Sequence, residues 1–278
     1  SVVQNSGNAK IIVADNDSSD NSVKFVSENY PQIEIIVNKQ NGGFAKGYND
    51  ALKNINAEFY LLLNSDIEVT PNWLAPLLDQ MKDPKVAGCQ PKIKAYNDKS
   101  SFEHAGASGG YLDKNYFPFC RGRIFNSVEN DNGQYDGVTE IFWASGACLL
   151  IRSELYHKAG GFDEAFFAHM EEIDLCWRLK KMNYKFMICP QSEVYHIGGG
   201  TLPYTSPRKV YLNFRNSLMM IIKNHHGILL PKIFSRLCID GIAASRFLMI
   251  GEFKQFYAVF QAHIFMYRNM SRLLKQRK

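Results

Sequence analysis

Residues 59–69 read FYLLLNSDIEV, an apolar and aromatic run that stops abruptly at Asn64, Ser65 and Asp66. A run without alternation fits a strand buried on both faces, as in a parallel sheet covered by helices. Open α/β sheets bind their ligands at the carboxyl ends of such strands, so Asp66 stands where a metal or a phosphate is handled. On this string alone Asp66 serves equally as the first polar residue of a turn.

The flanking text repeats the pattern. IIVADN (11–16), IEIIVN (33–38) and VAGCQPKI (86–93) read as strands, with helical patterns from about Ser19 to Asn29, from about Ala45 to Ile55 and over WLAPLLDQM (73–81). Such alternation predicts an α/β fold, a mostly parallel twisted sheet with helices on both faces. From Tyr96 to Asp136 the chain is rich in Gly, Asn and aromatic residues, which suits an ordered functional loop or a small strand excursion better than a linker. FWASGACLLIRS (142–153) returns to a strand, and GGFDEAFFAHMEEIDLCWRLKKMNY (160–184) contains a helix with its acids at the N-terminal end. FMICPQSEVYHIGGG (186–200) reads as a strand pair or as a strand and loop, and the chain from Arg208 onward as helical.

The net charge of +5 over 278 residues is unevenly distributed. Residues 208–278 hold 13 Lys and Arg against two acids, and the rest of the chain holds 19 against 25. The expected organisation is therefore an α/β domain over 1–207 and a basic amphipathic helical tail over 208–278. Apolar stripes mixed with basic residues suit an anionic membrane interface, and equally helices packed on the domain with a solvated basic face. They also suit a homodimer. No nucleic-acid-binding module is recognisable. The six cysteines form no CxxC pair, which argues against a zinc ribbon or a disulfide framework and for reduced thiols. No signal peptide or run long enough to span a membrane is present.

Several residues are candidates for a site. Asp15 and Asp17, in ADNDSSDNS (14–22), sit at a strand end where a carboxylate accepts hydrogen bonds from a ribose or base, or where Asp and Ser cap the next helix. NKQNGGFAKGYNDAL (38–52) is neither a GxGxxG fingerprint nor a P-loop, but Gly43 and Gly47 allow a ligand close to the backbone, with Asn41 and Asn49 as polar neighbours. Trp143 is a candidate for stacking on a sugar ring, ahead of Tyr111, Phe117 and Phe119; aromatics at strand spacing are also core.

The order of ADNDSSDNS, NGGFAKGYNDAL, LLLNSD, SGACLLIR, EEIDLCWR and VYHIGGG resembles the family 2 inverting nucleotide-sugar glycosyltransferases of GT-A fold, especially the rhamnosyltransferase-like branch. The resemblance implies that Asp15 contacts the nucleotide, that Asn64-Ser65-Asp66 stands at the DxD-type motif, and that Asp66 and His196 bind a divalent cation, Mn²⁺ or Mg²⁺. It implies a nucleotide-sugar donor held also by Asp17, Asn41, Gly43, Gly47 and Asn64, and a glycan or lipid-linked acceptor near Trp143 and His104. Relatives read Glu-Asp-x-Asp where this chain reads Glu171-Glu172-Ile173-Asp174, so Glu172 matches the catalytic base with one extra methylene. Asp174 is then a fallback base or a partner for Arg178 one turn along. The family's first strand, ending in a Thr-Tyr-Asn-like triplet, has no counterpart, and the chain opens on what reads as a helix tail, SVVQNSGN. A cytoplasmic enzyme on the inner face of a membrane, working in cell-surface polysaccharide synthesis, is the expectation. Its rivals are a sugar nucleotidyltransferase and a non-catalytic nucleotide-sugar or glycan-binding protein.

Overall fold

The computed structural model describes residues 1–103, 107–124, 127–198 and 206–277. A short helix, α1 (Val2–Asn5), leads into β1 (Ile12–Asp15), α2 (Ser22–Asn29), β2 (Glu34–Val37) and α3 (Gly43–Leu52). β3 (Phe59–Leu63), β4 (Ile67–Val69), α4 (Leu74–Gln80) and β5 (Val86–Ala95) follow. The aromatic excursion folds into two small hairpins, β6 (Gly110–Leu112) with β7 (Pro118–Cys120) and β8 (Arg123–Ile124) with β9 (Ser127–Val128). The chain re-enters the main sheet as β10 (Thr139–Ile141) and β11 (Cys148–Arg152), then forms α5 (Ser153–Lys158), α6 (Glu171–Lys181) and β12 (Lys185–His196). Three long helices close it: α7 (Pro207–Asn224), α8 (Leu229–Met249) and α9 (Phe253–Gln276).

Apart from the two hairpins, the strands described form two sheets of different character. β1 and β2, joined by the α2 crossover, pair in parallel as a two-stranded sheet. The larger sheet has the order β10-β12-β5-β11-β3, with β4 also on β12. Its β5 and β12 are parallel, but β11 runs antiparallel to both β3 and β5 and lies between them. A βαβ crossover enforces parallel neighbours, whereas β11 is reached through the long excursion, which leaves its direction free. Hence the sheet is mixed where alternation alone predicts parallel pairing.

α3 ties the sheets together. Asn38, just after β2, donates from Nδ2 to Gly47 O at 3.1 Å, and Tyr48 Oη donates to Leu63 O, the end of β3, at 3.3 Å.

One core runs through the α/β layer into the helical tail. Leu62, Leu149, Ile151, Phe166, Leu175 and Phe186 share a buried cluster with Leu218 to Ile222 of α7 and with Met266 and Leu273 of α9. The boundary expected near Pro207 thus separates charge, not cores. All six cysteines are free; five are buried and Cys238 on α8 is exposed. Among the described residues, no helix is long and apolar enough to cross a membrane.

Candidate active site

The first polar cluster lies beyond the ends of β1 and β2. Asp15 is buried, and its Oδ2 accepts a hydrogen bond from Ser18 N at 3.1 Å. Asp17 is exposed and left-handed (φ 62°). It does not cap α2, whose first amide, Ser22 N, is met by Asp20 Oδ1 at 2.9 Å. Asn41 Oδ1 accepts from Gly43 N at 3.0 Å and from Asn16 Nδ2 at 3.2 Å, while Asn38 Nδ2 also reaches Asn16 Oδ1 at 3.3 Å. Asn16 and Asn38 were not among the sequence candidates, because a single amide in a turn has no periodic signal. Together these side chains fix the loop that faces the sheet edge.

Gly43 and Gly47 require a correction. A Cβ on Gly43, held at φ 80°, would stand 2.4 Å from Phe167 O, and one on Gly47 would stand 3.1 Å from the Asn16 side chain. The close approach is made by the protein's own groups rather than by open space for a ligand. Asn49 is likewise committed: its Oδ1 accepts from Tyr156 Oη at 2.6 Å and from Phe162 N at 3.0 Å.

The second cluster brings together residues far apart in sequence. The Asn64-Ser65-Asp66 turn links β3 to β4, and because β4 pairs with the end of β12, Ile67 lies opposite His196. His196 Nε2 stands 3.2 Å from Asp66 Oδ1, and Nδ1 stands 3.5 Å from Glu103 Oε1. The hydrogen bond from His196 holds the Asp66 carboxyl below its usual range. Burial opposes charge on His196, but the hydrogen bonds and fields of Asp66 and Glu103 outweigh it and push its pKa up to about 9. Glu103 is buried, and a Cβ on Gly198 would fall 2.8 Å from its Oε1, so only glycine fits there at φ 67°. Glu103 was not a candidate; its neighbour His104, which was, lies outside the described residues.

This donor set fits a divalent cation. Two ligands about 2.1 Å from an octahedral ion at right angles stand roughly 3 Å apart, close to the Asp66 to His196 separation. A metal-bound histidine commonly has a carboxylate behind its other nitrogen, the position of Glu103. Among the described residues, no group of three or more His, Cys, Asp and Glu could hold a metal, so further ligands would come from phosphate or water.

The acidic helix forms the third side. α6 follows three left-handed non-glycine residues, Phe167 (φ 65°), His169 (φ 71°) and Met170 (φ 74°). Such conformations persist only when their surroundings over-determine them. Here the surroundings are α7: Asn216 Nδ2 lies 3.0, 2.8 and 2.7 Å from the carbonyls of Phe166, Ala168 and His169, and Arg215 Nη2 donates to Phe166 O at 2.7 Å. Neither residue was anticipated, since the tail was read for its charge and apolar stripes.

Glu172 is half-buried, and its Oε2 has no hydrogen-bond partner among the described residues. Burial pushes its pKa up to about 7. Glu171 beside it is buried and also shifted upward, by burial and then by Glu172. Asp174 differs from both. It is wholly buried; its Oδ2 accepts from Arg178 Nε at 2.8 Å and its Oδ1 from Lys223 Nζ at 3.0 Å and Asn224 Nδ2 at 2.7 Å. The fallback-base assignment for Asp174 is therefore corrected to the other option, a structural partner of Arg178.

The three sides meet at residues 145–147. Asn64 N donates to Ala147 O at 2.9 Å, and a Cβ on Gly146 would lie 3.2 Å from the Phe44 ring and 3.8 Å from Glu172 Cβ. Trp143, two residues earlier, is not a platform. Its Nε1 donates to Tyr111 O at 2.9 Å and its ring covers Gly110, where a Cβ would collide at 2.0 Å. The acceptor role expected of Trp143 is corrected to a core role.

Comparison with known proteins adds a family and a fold. The model of the glycosyl transferase family 2 matches residues 1–159. An N-acetylglucosaminyl-diphospho-decaprenol L-rhamnosyltransferase of Mycobacterium tuberculosis is 23% identical over 201 residues, covering 67% of this chain and 66% of that protein. A dTDP-rhamnosyl transferase, RfbF, of Shigella flexneri is 22% identical over 240 residues, covering 80% of this chain and 74% of that protein. Among solved structures, GalNAc-T7 with UDP, GalNAc and Mn²⁺ is similar with a TM-score of 0.60 at 16% identity, over 80% of this chain and 44% of that one. A mannosyltransferase of Pyrobaculum calidifontis in complex with GDP-Man and Mn²⁺ gives 0.52 at 13% identity, over 94% and 66%.

Proposed function

From the premise that this chain belongs to the glycosyl transferase 2 family, we propose that it transfers a sugar, with inversion, from a nucleoside-diphosphate sugar to a glycan or lipid-linked acceptor in polysaccharide assembly. The observation that supports this most is the convergence on residues 145–147 of the Asp66 turn on one side and, on the other, of Glu172, whose Oε2 has no hydrogen-bond partner among the described residues. The relatives named for rhamnosyl transfer, one with a diphospho-decaprenol acceptor, supply the acceptor class.

In this reading Asp15, Asp17, Asn41 and Asn64 face the nucleotide, and the glycines shape the loop that presents them. Asp66 and His196 would hold a Mn²⁺ or Mg²⁺ ion, which when bound would supply Lewis-acid stabilisation of the diphosphate's charge. Glu172 takes the proton of the acceptor hydroxyl, and a carboxyl held near 7 is matched to that work at neutral pH. Glu103 orients His196 from behind, and Asp174 positions α6 through Lys223 and Arg178. The tail, 208–278, attaches the enzyme to the inner face of an anionic membrane.

The experiment is thermal stability of the chain and of Asp66→Ala against UDP, GDP, dTDP and CMP, each with and without Mn²⁺. Stabilisation by one nucleotide, dependent on metal and lost in the variant, supports the donor site and names its base. Stabilisation without metal, or undiminished in Asp66→Ala, removes Asp66 from the reading.

A further inference from the structure

Between the first turns of α7 and α9 lies a cavity of about 370 Å³ lined by Arg208, Tyr211, Lys254, Tyr257 and Gln261, among others. Its size is that of a small-molecule site, roughly 300–1,000 Å³. Two cations and two phenol rings stand in its lining beside Pro207, Ala258 and Gln261, with no acid among the described residues.

The cavity has two distinct neighbours. Outward, the turn from α8 into α9 exposes Met249 (79%), Ile250 (58%) and Phe253 (65%), an apolar elbow left open by the described residues. Inward, the Arg208 guanidinium lies 5.0 Å from the centroid of the Phe167 ring, in the strained loop that starts α6 and whose carbonyl accepts from Ala45 N. Lys209, the next residue, is partly buried and interacts electrostatically with Glu103 and His169. The order is therefore apolar elbow, cationic cavity, catalytic loop.

We propose that this cavity binds the diphosphate of a lipid-linked acceptor, with the lipid's hydrocarbon lying on the Met249–Phe253 elbow and its sugar directed past Phe167 toward Glu172. Arg208 and Lys254 neutralise the diphosphate, a planar guanidinium and an ammonium both suiting phosphate oxygens. Tyr211 and Tyr257 supply the amphipathic walls suited to the boundary between a charged group and its chain. This rests on the transferase reading above and names the acceptor class for that same site.

The test uses the whole chain with farnesyl diphosphate as the probe, and with farnesol and inorganic pyrophosphate as its two halves. Binding is followed by calorimetry. Farnesyl diphosphate is expected to bind at least tenfold tighter than either half and to be undisplaced by the donor nucleotide. R208E/K254E, two exposed positions, should weaken it at least tenfold while leaving metal-dependent stabilisation by nucleotide intact. Pyrophosphate binding as tightly as farnesyl diphosphate, or displacement of the probe by nucleotide, overturns the proposal. So does wild-type affinity in R208E/K254E, including the case in which that variant loses only binding to phosphatidylglycerol vesicles or only self-association. Nucleotide binding without farnesyl diphosphate binding overturns this proposal and spares the transferase reading, whereas failure of both overturns both.

Discussion

In the proposed reading Glu172 is the base, and it holds that place at a cost to the fold. Its carboxyl is held near 7 by burial, above its ordinary value. A raised folded-state value means that the protonated form is favoured on folding, so its contribution to stability is complete below about 4.5 and lost as pH rises through about 7. Two expectations follow at this scale. kcat/KM should rise with pH to a plateau above about 7, because the base must be ionised. Glu172→Gln should abolish turnover, keep nucleotide binding, and stabilise the protein at pH 8 by up to about 3 kcal/mol with little effect at pH 4, as read by urea denaturation. Asp174 should behave oppositely. Its removal takes one of two carboxylates from the buried Lys223 ammonium and the acceptor from Arg178 Nε and Asn224 Nδ2, so Asp174→Ala is expected to cost about 3 kcal/mol of stability at neutral pH. A base without structural duty would leave the denaturation midpoint unchanged. The sequence distinguishes these two acids poorly: both stand at the start of one helix, and only the fold shows that one meets Lys223 and the other does not.

At the scale of elements, strands announced themselves where their residues are continuous in sequence. β1, β2, β3 and β5 are runs whose length and composition suffice, and Asp66 stands out because it follows such a run, whereas His196 is marked only by the resemblance of the VYHIGGG segment. Glu103 was not legible, since its meeting with His196 depends on the excursion after β5 folding back against β12. The antiparallel course of β11 has the same origin. The role of Trp143 was misread because a strand aromatic faces core or ligand with equal ease, and the deciding partner, Gly110, is 33 residues away. Gly110→Ala tests that packing. A methyl there meets the indole at 2.0 Å, and the variant should lose at least about 2 kcal/mol of stability. Gly43→Ala combines a left-handed backbone with a collision on Phe167 O, so it should disturb the loop before α6 and lower kcat as well as stability. An activity unchanged in a folded Gly43→Ala would mean that the loop is not coupled to turnover.

For the whole molecule, the division at Pro207 is electrostatic rather than architectural. The segment 208–278 carries 13 basic residues against two acids, while Leu218 to Ile222 enter the same core as the sheet. A chain ending at residue 207 should therefore lack a cooperative unfolding transition, which circular dichroism on heating would register. A truncated domain that melts sharply would restore the two-domain reading.

Lys223 of α7 meets Asp163 and Asp174, which precede and open the acidic helix, and Asn216 cradles the carbonyls ahead of it. Synthesis proceeds from the amino end, and domains settle as their parts emerge from the ribosome. The strands of the proposed donor side can assemble first, but the segment from Phe167 to Asp174 has only Arg178 of its own helix as counter-charge, and no amide cradle, until α7 has left the exit tunnel. The nascent chain is therefore expected to acquire its nucleotide pocket before it acquires a competent base. An unfinished polypeptide of this family member could hold a sugar donor and do nothing with it, so that translation itself delays reactivity until the helical tail exists.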